Sequence, residues 1–273
     1  MAKEEIEHET GLEFLARLEK EADRNSGQTD AFAEQFGVAL PATLERLGLV
    51  LKSLYYAACC AWGCRGGDHQ VEWLTGRVVN QAMGSYRLIR AGFYDESLAL
   101  TRGIGELANL LWLFLDENEM HRWMAAERRE RLQQFSPSAV RRKLAASSTT
   151  GPPISEERYR RLCEVATHPV PDLPPGQFTG TGRPILGHLL QVPGVLVAAT
   201  ELGFSVSVCA HPLSTLLGLS EERAVQLRGL AIELISSLGS FNILNYEELT
   251  TEAVGRNSAA STSDKNDALG AGP

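Results

Sequence analysis

The segment YDESLALTRGIGELANLLWLFLD, residues 94–116, decides the fold of this protein. Its large aliphatic residues cover nearly every side of a helix, a pattern that is typical of a helix buried on all sides. They are Leu98, Leu100, Ile104, Leu107, Leu110, Leu111, Leu113 and Leu115. The segment therefore predicts a central helix against which the other elements pack.

Two charged residues, Arg102 and Glu106, fall inside this apolar segment. They are four residues apart and therefore lie on the same side of the helix. Burial of either charge is costly unless the charge is paired. We expect a buried ion pair that fixes the register of the helix, and the alternative is that both residues belong to a functional site.

The rest of the chain also favours helices, because its apolar residues recur at intervals of three and four. The pattern predicts helices over residues 41–63 and 71–91, the second of them capped by Gly92. Two further helices are predicted to start after Ser155 and Ser220, which are suited to cap a helix N-terminus. Evidence for strands is minimal, so the sequence predicts an all-α fold.

Prolines and glycines predict where the helical pattern is interrupted. A long Pro/Gly-rich loop is predicted near residues 169–184. Breaks are also predicted near Pro193 and at Pro212, so that His211 marks the end of a helix. With these interruptions, residues 37–254 are predicted to form a single multi-helix, bundle-like domain.

Both ends of the chain differ from this domain. Residues 1–36 form an acidic arm with ten acidic and four basic side chains. The arm is predicted to hold an amphipathic helix that ends near Arg24, because the polar segment 25–30 breaks it. The apolar residues of that helix are Leu12, Leu15, Leu18 and Ala22. Residues 255–273 have almost no large apolar side chains and are predicted to be a disordered tail.

Composition limits the classes of function. The 273 residues are 44% apolar, enough for a sizeable core, and their net charge of −8 argues against a broadly basic nucleic-acid surface. Residues 107–115 are too short to cross a membrane, and residues 193–210 are interrupted by Glu201. The five cysteines lack the spacing of a disulfide framework and no secretory signal is visible. We therefore predict a soluble, cytoplasmic protein.

No motif predicts a cofactor or a metal. Cys60, Cys64 and His69 come closest to a metal site, but no CxxC pair completes it, and we interpret the thiols as small apolar core residues. No glycine-rich phosphate loop follows a strand, and the GxSxG and HExxH motifs are absent. Hydrolase and NTPase functions therefore lack support.

A basic stretch follows the central helix. Residues 122–143 contain seven basic and two acidic side chains. Arg128, Arg129 and Arg131 are the candidate phosphate-binding residues in this stretch. The alternative, which we favour, is that they form a solvated helix face.

The helix after Ser155 carries a polar stripe. Arg161, Glu164 and His168 line up on one side of it, opposite an apolar stripe that begins at Tyr159. An arginine, a carboxylate and an imidazole together can bind a phosphate, orient a histidine and move a proton, which is what metal-independent RNA cleavage requires. The alternative is the ordinary polar face of a short amphipathic helix.

Two segments resemble a known superfamily. The run from Arg90 to Glu106, followed by an apolar helix, and the segment YRRLCEVATHP, residues 159–169, resemble bacterial helical domains that are compared with the HEPN superfamily. The resemblance covers roughly residues 70–170. It implies an all-α, often dimeric protein with ribonuclease activity, in which Arg161 contacts the scissile phosphate. His168 would be the general acid or base, and Glu164 would orient it.

These observations leave three functions open. The first is a non-catalytic interaction or regulatory protein, which needs only a helical domain, an acidic arm and a loop. The second is a HEPN-like, metal-independent endoribonuclease of the toxin or defence type. The third is a small-ligand sensor with its pocket beneath the Pro/Gly-rich loop. The expected partner is a protein or RNA, and a homodimer would concentrate basic charge in one cleft.

Overall fold

In the described part of the chain the regular secondary structure consists of ten helices, and no described residue lies in a strand. The structure is a computed structural model, and it describes residues 10–35, 39–62, 69–147, 151–168 and 188–239. The helices are α1 (Gly11–Gln35), α2 (Ala39–Ala58), α3 (Gln70–Ala91), α4 (Tyr94–Leu113), α5 (Glu117–Ala125), α6 (Arg128–Gln134), α7 (Pro137–Ser147), α8 (Glu156–Ala166), α9 (Val192–Leu216) and α10 (Glu221–Leu238). The predicted all-α, bundle-like fold is confirmed.

Helix α4 is the centre of the bundle, as its sequence predicts. It packs most extensively against α9 and α3, and also against α8 and α7. Leu98, Ile104 and Leu111 are fully buried on it. Asn109 is buried as well, and its side chain bonds both backbone groups of Ile154, which fixes the segment before α8 to α4.

Helix α9 is the second core helix and lies between α4 and α10. By length and composition it is apolar enough to cross a membrane, and 61% of its most apolar window is buried inside the bundle. Residues 188–191 are not helical and α9 begins at Val192, with Pro193 in its first turn, where a missing N–H costs no hydrogen bond.

The predicted break at Pro212 is wrong, because α9 continues through it to Leu216. A proline inside a helix leaves the carbonyl four residues earlier without its N–H donor. In this helix that carbonyl belongs to Val208, and Trp112 Nε1 of α4 donates to it at 2.9 Å. His211 therefore lies inside the helix, where its ring stacks on Trp112 with 4.8 Å between the centroids.

The predicted end of the arm helix near Arg24 is also wrong. Helix α1 runs without a break from Gly11 to Gln35. Asn25 Nδ2 and Thr29 Oγ1 donate to the carbonyl oxygen of Arg90 at 2.9 and 3.0 Å, and Asp30 forms an ion pair with the Arg90 guanidinium. Polar residues that favour a turn in isolation thus remain helical because α3 supplies their partners.

The predicted helix ends are correct where they depend on local chemistry. Ser155 and Ser220 accept hydrogen bonds from the backbone N–H three residues later, and Gly92 ends α3 with φ +86°. Helix α2 ends at Ala58, before the predicted Gly63. The predicted loop near 169–184 and tail 255–273 lie outside the described residues.

Candidate functional site

Helix α8 carries two of the three residues that the sequence singles out for catalysis, Arg161 and Glu164, and the third, His168, follows its end at Ala166. Leu162 and Val165 are buried and fix its inner side against the core. Arg161 and His168 are exposed, and the Glu164 side chain keeps 39% of its accessible surface. The polar stripe therefore faces outward, as expected for an amphipathic helix.

Arg161 and Glu164 each contact a neighbour on α8, and His168, which lies beyond the end of α8, is bonded to its last turn through the backbone. The Arg161 guanidinium lies 3.7 Å from the Glu157 carboxylate, and the Glu164 carboxylate lies 3.8 Å from Arg160. The His168 backbone N–H donates to the carbonyl of Cys163 at 2.7 Å. Among the described contacts, none joins Arg161, Glu164 and His168 to one another.

A different polar cluster forms where α8 meets α4. The Tyr159 hydroxyl donates to Glu106 Oε1 at 3.0 Å, and Arg102 Nη1 lies 3.6 Å from Cys163 Sγ. The Arg141 guanidinium of α7 covers the Tyr159 ring at 3.8 Å from its centroid. We call Arg102, Glu106, Tyr159, Cys163 and Arg141 the α4–α8 cluster.

The predicted Arg102–Glu106 pair forms, with 3.7 Å between nitrogen and oxygen. The side chains keep 24% and 28% of their accessible surface, so the pair is half-buried rather than enclosed in the core. Arg102 Nε is buried without a hydrogen-bond partner among the described residues. The pair therefore joins α4 to α8 as well as bridging two turns of α4.

Among the residues of this cluster, Tyr159 has the most strongly shifted pKa. Burial and the nearby Glu106 carboxylate both oppose the phenolate, and they raise the pKa of Tyr159 from 10.0 to about 12. At neutral pH the phenol is therefore protonated and serves as a hydrogen-bond donor to Glu106. This keeps Glu106 oriented toward α8.

The raised pKa predicts a contribution to alkaline unfolding. Because the unfolded chain loses the Tyr159 proton first, the stabilisation is complete below pH 10 and is lost as the pH rises toward about 12. Tyr159→Phe should make the fall of the free energy of unfolding across that range shallower, as measured by denaturant titrations at several pH values. Glu106→Gln should lower the pKa of Tyr159. An unchanged slope in Tyr159→Phe would contradict the assignment.

A cleft of about 400 Å³ lies on the other side of α8, against α9 and α10. Arg158 crosses it and binds Glu201 through two hydrogen bonds of 2.7 and 3.1 Å, with its guanidinium over the Phe204 ring. Arg161 also lines this cleft. The sequence drew attention to Glu201 only as an interruption of an apolar run, since its partner is 43 residues away.

The basic stretch forms three short helices, α5 to α7, rather than one basic face. Arg131 donates to the carbonyls of Trp123 and Ala126 and lies over the Trp123 ring, which ties α6 to α5. Arg128 and Arg129 are exposed. Two of the three candidate phosphate-binding residues are therefore at the surface, and the third has a structural partner.

An apolar groove of about 460 Å³ lies between α2 and α3. Tyr55, Tyr56 and Met83 line it and keep 56%, 40% and 44% of their accessible surface. Its other lining residues are Leu44, Leu47, Gly48, Leu51, Lys52, Val79, Asn80 and Tyr86. Leu44, Leu47 and Leu51 recur at intervals of three and four, so the sequence pattern indicates only that they share one face of α2. In the structure, one part of this face packs against the core and the other part lines the groove.

No group of three or more His, Cys, Asp or Glu side chains is placed to hold a metal ion in the described part of the chain. Cys60 and His69 belong to that part, whereas Cys64 does not. The loop beneath which a ligand pocket was expected also lies outside it. The described geometry thus offers the α4–α8 cluster, the α8–α10 cleft and the α2–α3 groove as candidate sites.

Comparison with known proteins found no match among protein-family models, curated proteins or solved structures. The HEPN resemblance therefore stays a prediction.

Proposed function

We propose that this protein is a non-catalytic interaction protein and that the α2–α3 groove is its binding surface. The observation that carries the proposal is the exposure of Tyr55, Tyr56 and Met83 around a single apolar groove. Contiguous exposed apolar surface rimmed by polar residues is typical of protein-binding sites. Aromatic and methionine side chains are enriched in such interfaces.

The shape of the groove favours a helical ligand. Its walls are two adjacent helices, and its lining residues recur along them at helical spacing. An amphipathic helix can place its apolar face into such a groove and keep its polar face in water. Gly48 leaves room in the wall, because a Cβ atom built there meets nothing within 4 Å.

The polar residues give catalysis less support. Arg161 and Glu164 contact residues of their own helix, and Arg158 is held by Glu201. The α4–α8 cluster joins two core helices through Tyr159 and Glu106. Each of these charged residues therefore has a contact with a neighbouring side chain, and none of these contacts requires a catalytic role.

The proposal is tested with a displayed library of amphipathic helical peptides, selected on the full chain. We expect the selected peptides to bind the wild-type protein and to lose binding to Gly48→Glu, which places a charged side chain in the groove. Gly76→Glu is the matched control, because its Cβ also meets open space and it lies outside the groove lining. Peptides that bind Gly48→Glu unchanged would overturn the proposal, as would a selection without binders both on the wild type and on Leu12→Gln with Leu15→Gln, which alters the exposed apolar residues of α1.

A second candidate is the HEPN-like endoribonuclease. The observation that favours it is Arg161, which lines the α8–α10 cleft on the same helix that leads to His168. An arginine at a cleft can hold a phosphate while an exposed histidine transfers protons. On this hypothesis the cleft would receive the RNA backbone.

Incubation of the purified protein with a mixed RNA pool, without metal, separates the two candidates. On the proposed function we expect no cleavage by the wild type above the level of His168→Ala and Arg161→Ala. Both side chains are exposed, so the variants should melt within a few degrees of the wild type. Cleavage by the wild type that is lost in both folded variants would establish the ribonuclease instead.

A further inference from the structure

The N-terminal half of α1 projects from the bundle. Every buried residue of α1 lies in its second half, namely Asn25, Thr29 and Ala33. Residues 11–24 contain no buried residue, and at helical rise they extend for about 20 Å. We call residues 11–24 the projecting arm.

The projecting arm exposes large apolar side chains. Leu12, Phe14 and Leu15 keep 81%, 43% and 57% of their accessible surface. A helix of this length is marginal in water on its own, because helices in proteins gain most of their stability from packing an apolar face. The arm therefore has the properties of a helix whose packing partner is another molecule.

The arm cannot fold back onto the groove of its own chain while α1 stays intact. Helix α1 is continuous, and its second half is held at the C-terminal end of α3 through Asn25, Thr29 and Asp30. A reversal of direction would break backbone hydrogen bonds of the helix near Asn25. The exposure of Leu12 agrees with this, since that side chain lies in no groove of its own chain.

Charge also favours an encounter between the N-terminal segment, residues 1–24, and the groove. The projecting arm itself carries four acidic and three basic side chains, and residues 1–10 before it carry four acidic and one basic. Helices α2 and α3 carry five basic and two acidic side chains, and Lys52 lines the groove itself. Opposite charges on two surfaces favour their encounter and fix their register. An amphipathic helix that is preceded by acidic residues is thus the ligand chemistry that this groove fits.

We propose that the α2–α3 groove binds the projecting arm of a second copy of this chain. This inference rests on the proposed function, because it names the partner of the same groove. A two-fold axis lets each copy insert its arm into the groove of the other, so both apolar surfaces are covered at once. The protein is then a homodimer held by reciprocal arm exchange.

Two variants test the contributions of the arm and of the groove separately. Leu12→Gln with Leu15→Gln removes the apolar contacts of the arm and changes only exposed side chains. Gly48→Glu obstructs the groove and places a charge among its apolar side chains, and Gly76→Glu is the matched control. Sedimentation equilibrium over a range of protein concentrations measures the mass of each.

We expect the wild type and Gly76→Glu to sediment at twice the chain mass of 29.8 kDa. The arm variant and Gly48→Glu should each sediment as monomers. A mixture of these two variants should regain some dimer, because the intact arm of one fits the intact groove of the other. A fluorescent peptide of residues 10–24 should bind the arm variant and should not bind Gly48→Glu.

A monomeric wild type would overturn the inference. A dimer that persists in Gly48→Glu and is lost only in the arm variant would show that the two copies pair arm to arm and not arm to groove. If library peptides bind the groove and the peptide of residues 10–24 does not, the interaction function stands and the second copy is not the partner. If neither binds, both proposals fail.

Discussion

Replacing Gly194 with alanine is expected to lower the free energy of unfolding by about 3 kcal/mol, at the upper end of the usual cost of overpacking a core. A Cβ atom at Gly194 would lie 2.4 Å from Cδ2 of the Tyr94 ring, where real contacts do not occur. The ring cannot withdraw easily, because Tyr94 is 2% exposed. Its hydroxyl also donates to the carbonyl of Leu189 and accepts from the N–H of Gln191.

Gly229→Ala is the matched control for this prediction. Gly229 lies inside α10, and a Cβ atom there meets nothing within 4 Å. Alanine should therefore stabilise that helix by roughly 0.5–1 kcal/mol. Denaturant unfolding of both variants gives the two values, and the predicted signs are opposite. A Gly194→Ala protein as stable as the wild type would contradict the packing of α9 on Tyr94.

Asn109→Ala is expected to cost a similar amount, about 3 kcal/mol. Asn109 is 3% exposed and Ile154 is fully buried. The Asn109 amide donates to the Ile154 carbonyl at 3.0 Å, and its oxygen accepts from the Ile154 N–H at 2.9 Å. Without the amide both backbone groups lose their partner in the core, and each such loss costs about 1–3 kcal/mol.

Asn118→Ala tests whether the effect of Asn109 comes from burial. Asn118 is also helical, and it is exposed. Its replacement should change the free energy of unfolding by less than about 0.5 kcal/mol, the usual size for a surface site. Chemical denaturation under identical conditions compares the two. Equal effects would mean that the segment around Ile154 is not held as described.

Asn109 and Gly194 contact residues that are far away in the chain, and no pattern in the sequence selects them. The pattern of apolar residues in α4 predicted a buried helix correctly, because that pattern is a property of consecutive residues. Asn109 and Gly194 differ, because their importance depends on which residue lies opposite. Ile154 becomes the neighbour of Asn109, and Tyr94 the neighbour of Gly194, only when the bundle is assembled.

The candidate site also combines features that the sequence predicts with contacts that only the fold determines. The sequence placed Arg161, Glu164 and His168 on one outer face of a helix; the structure has Arg161 and Glu164 on the outer side of α8, whereas His168 lies two residues beyond its end at Ala166. Their spacing could not show that Glu157 and Arg160 would be the contacts of Arg161 and Glu164. It also could not show that Tyr159 would join Arg102 and Glu106 in one cluster.

The sequence by itself determined the all-α fold, the central position of α4 and the capped ends of α3, α8 and α10. These depend on hydrophobic periodicity and on hydrogen bonds between residues close in the chain. Only the tertiary structure decided that α1 continues past Arg24 and that α9 continues past Pro212. The partners that make both possible, Arg90 and Trp112, are 65 and 96 residues from the atoms they bond. Local preference for a turn or a break is worth about 1–3 kcal/mol, and hydrogen bonds and packing supplied from elsewhere in the fold can exceed it.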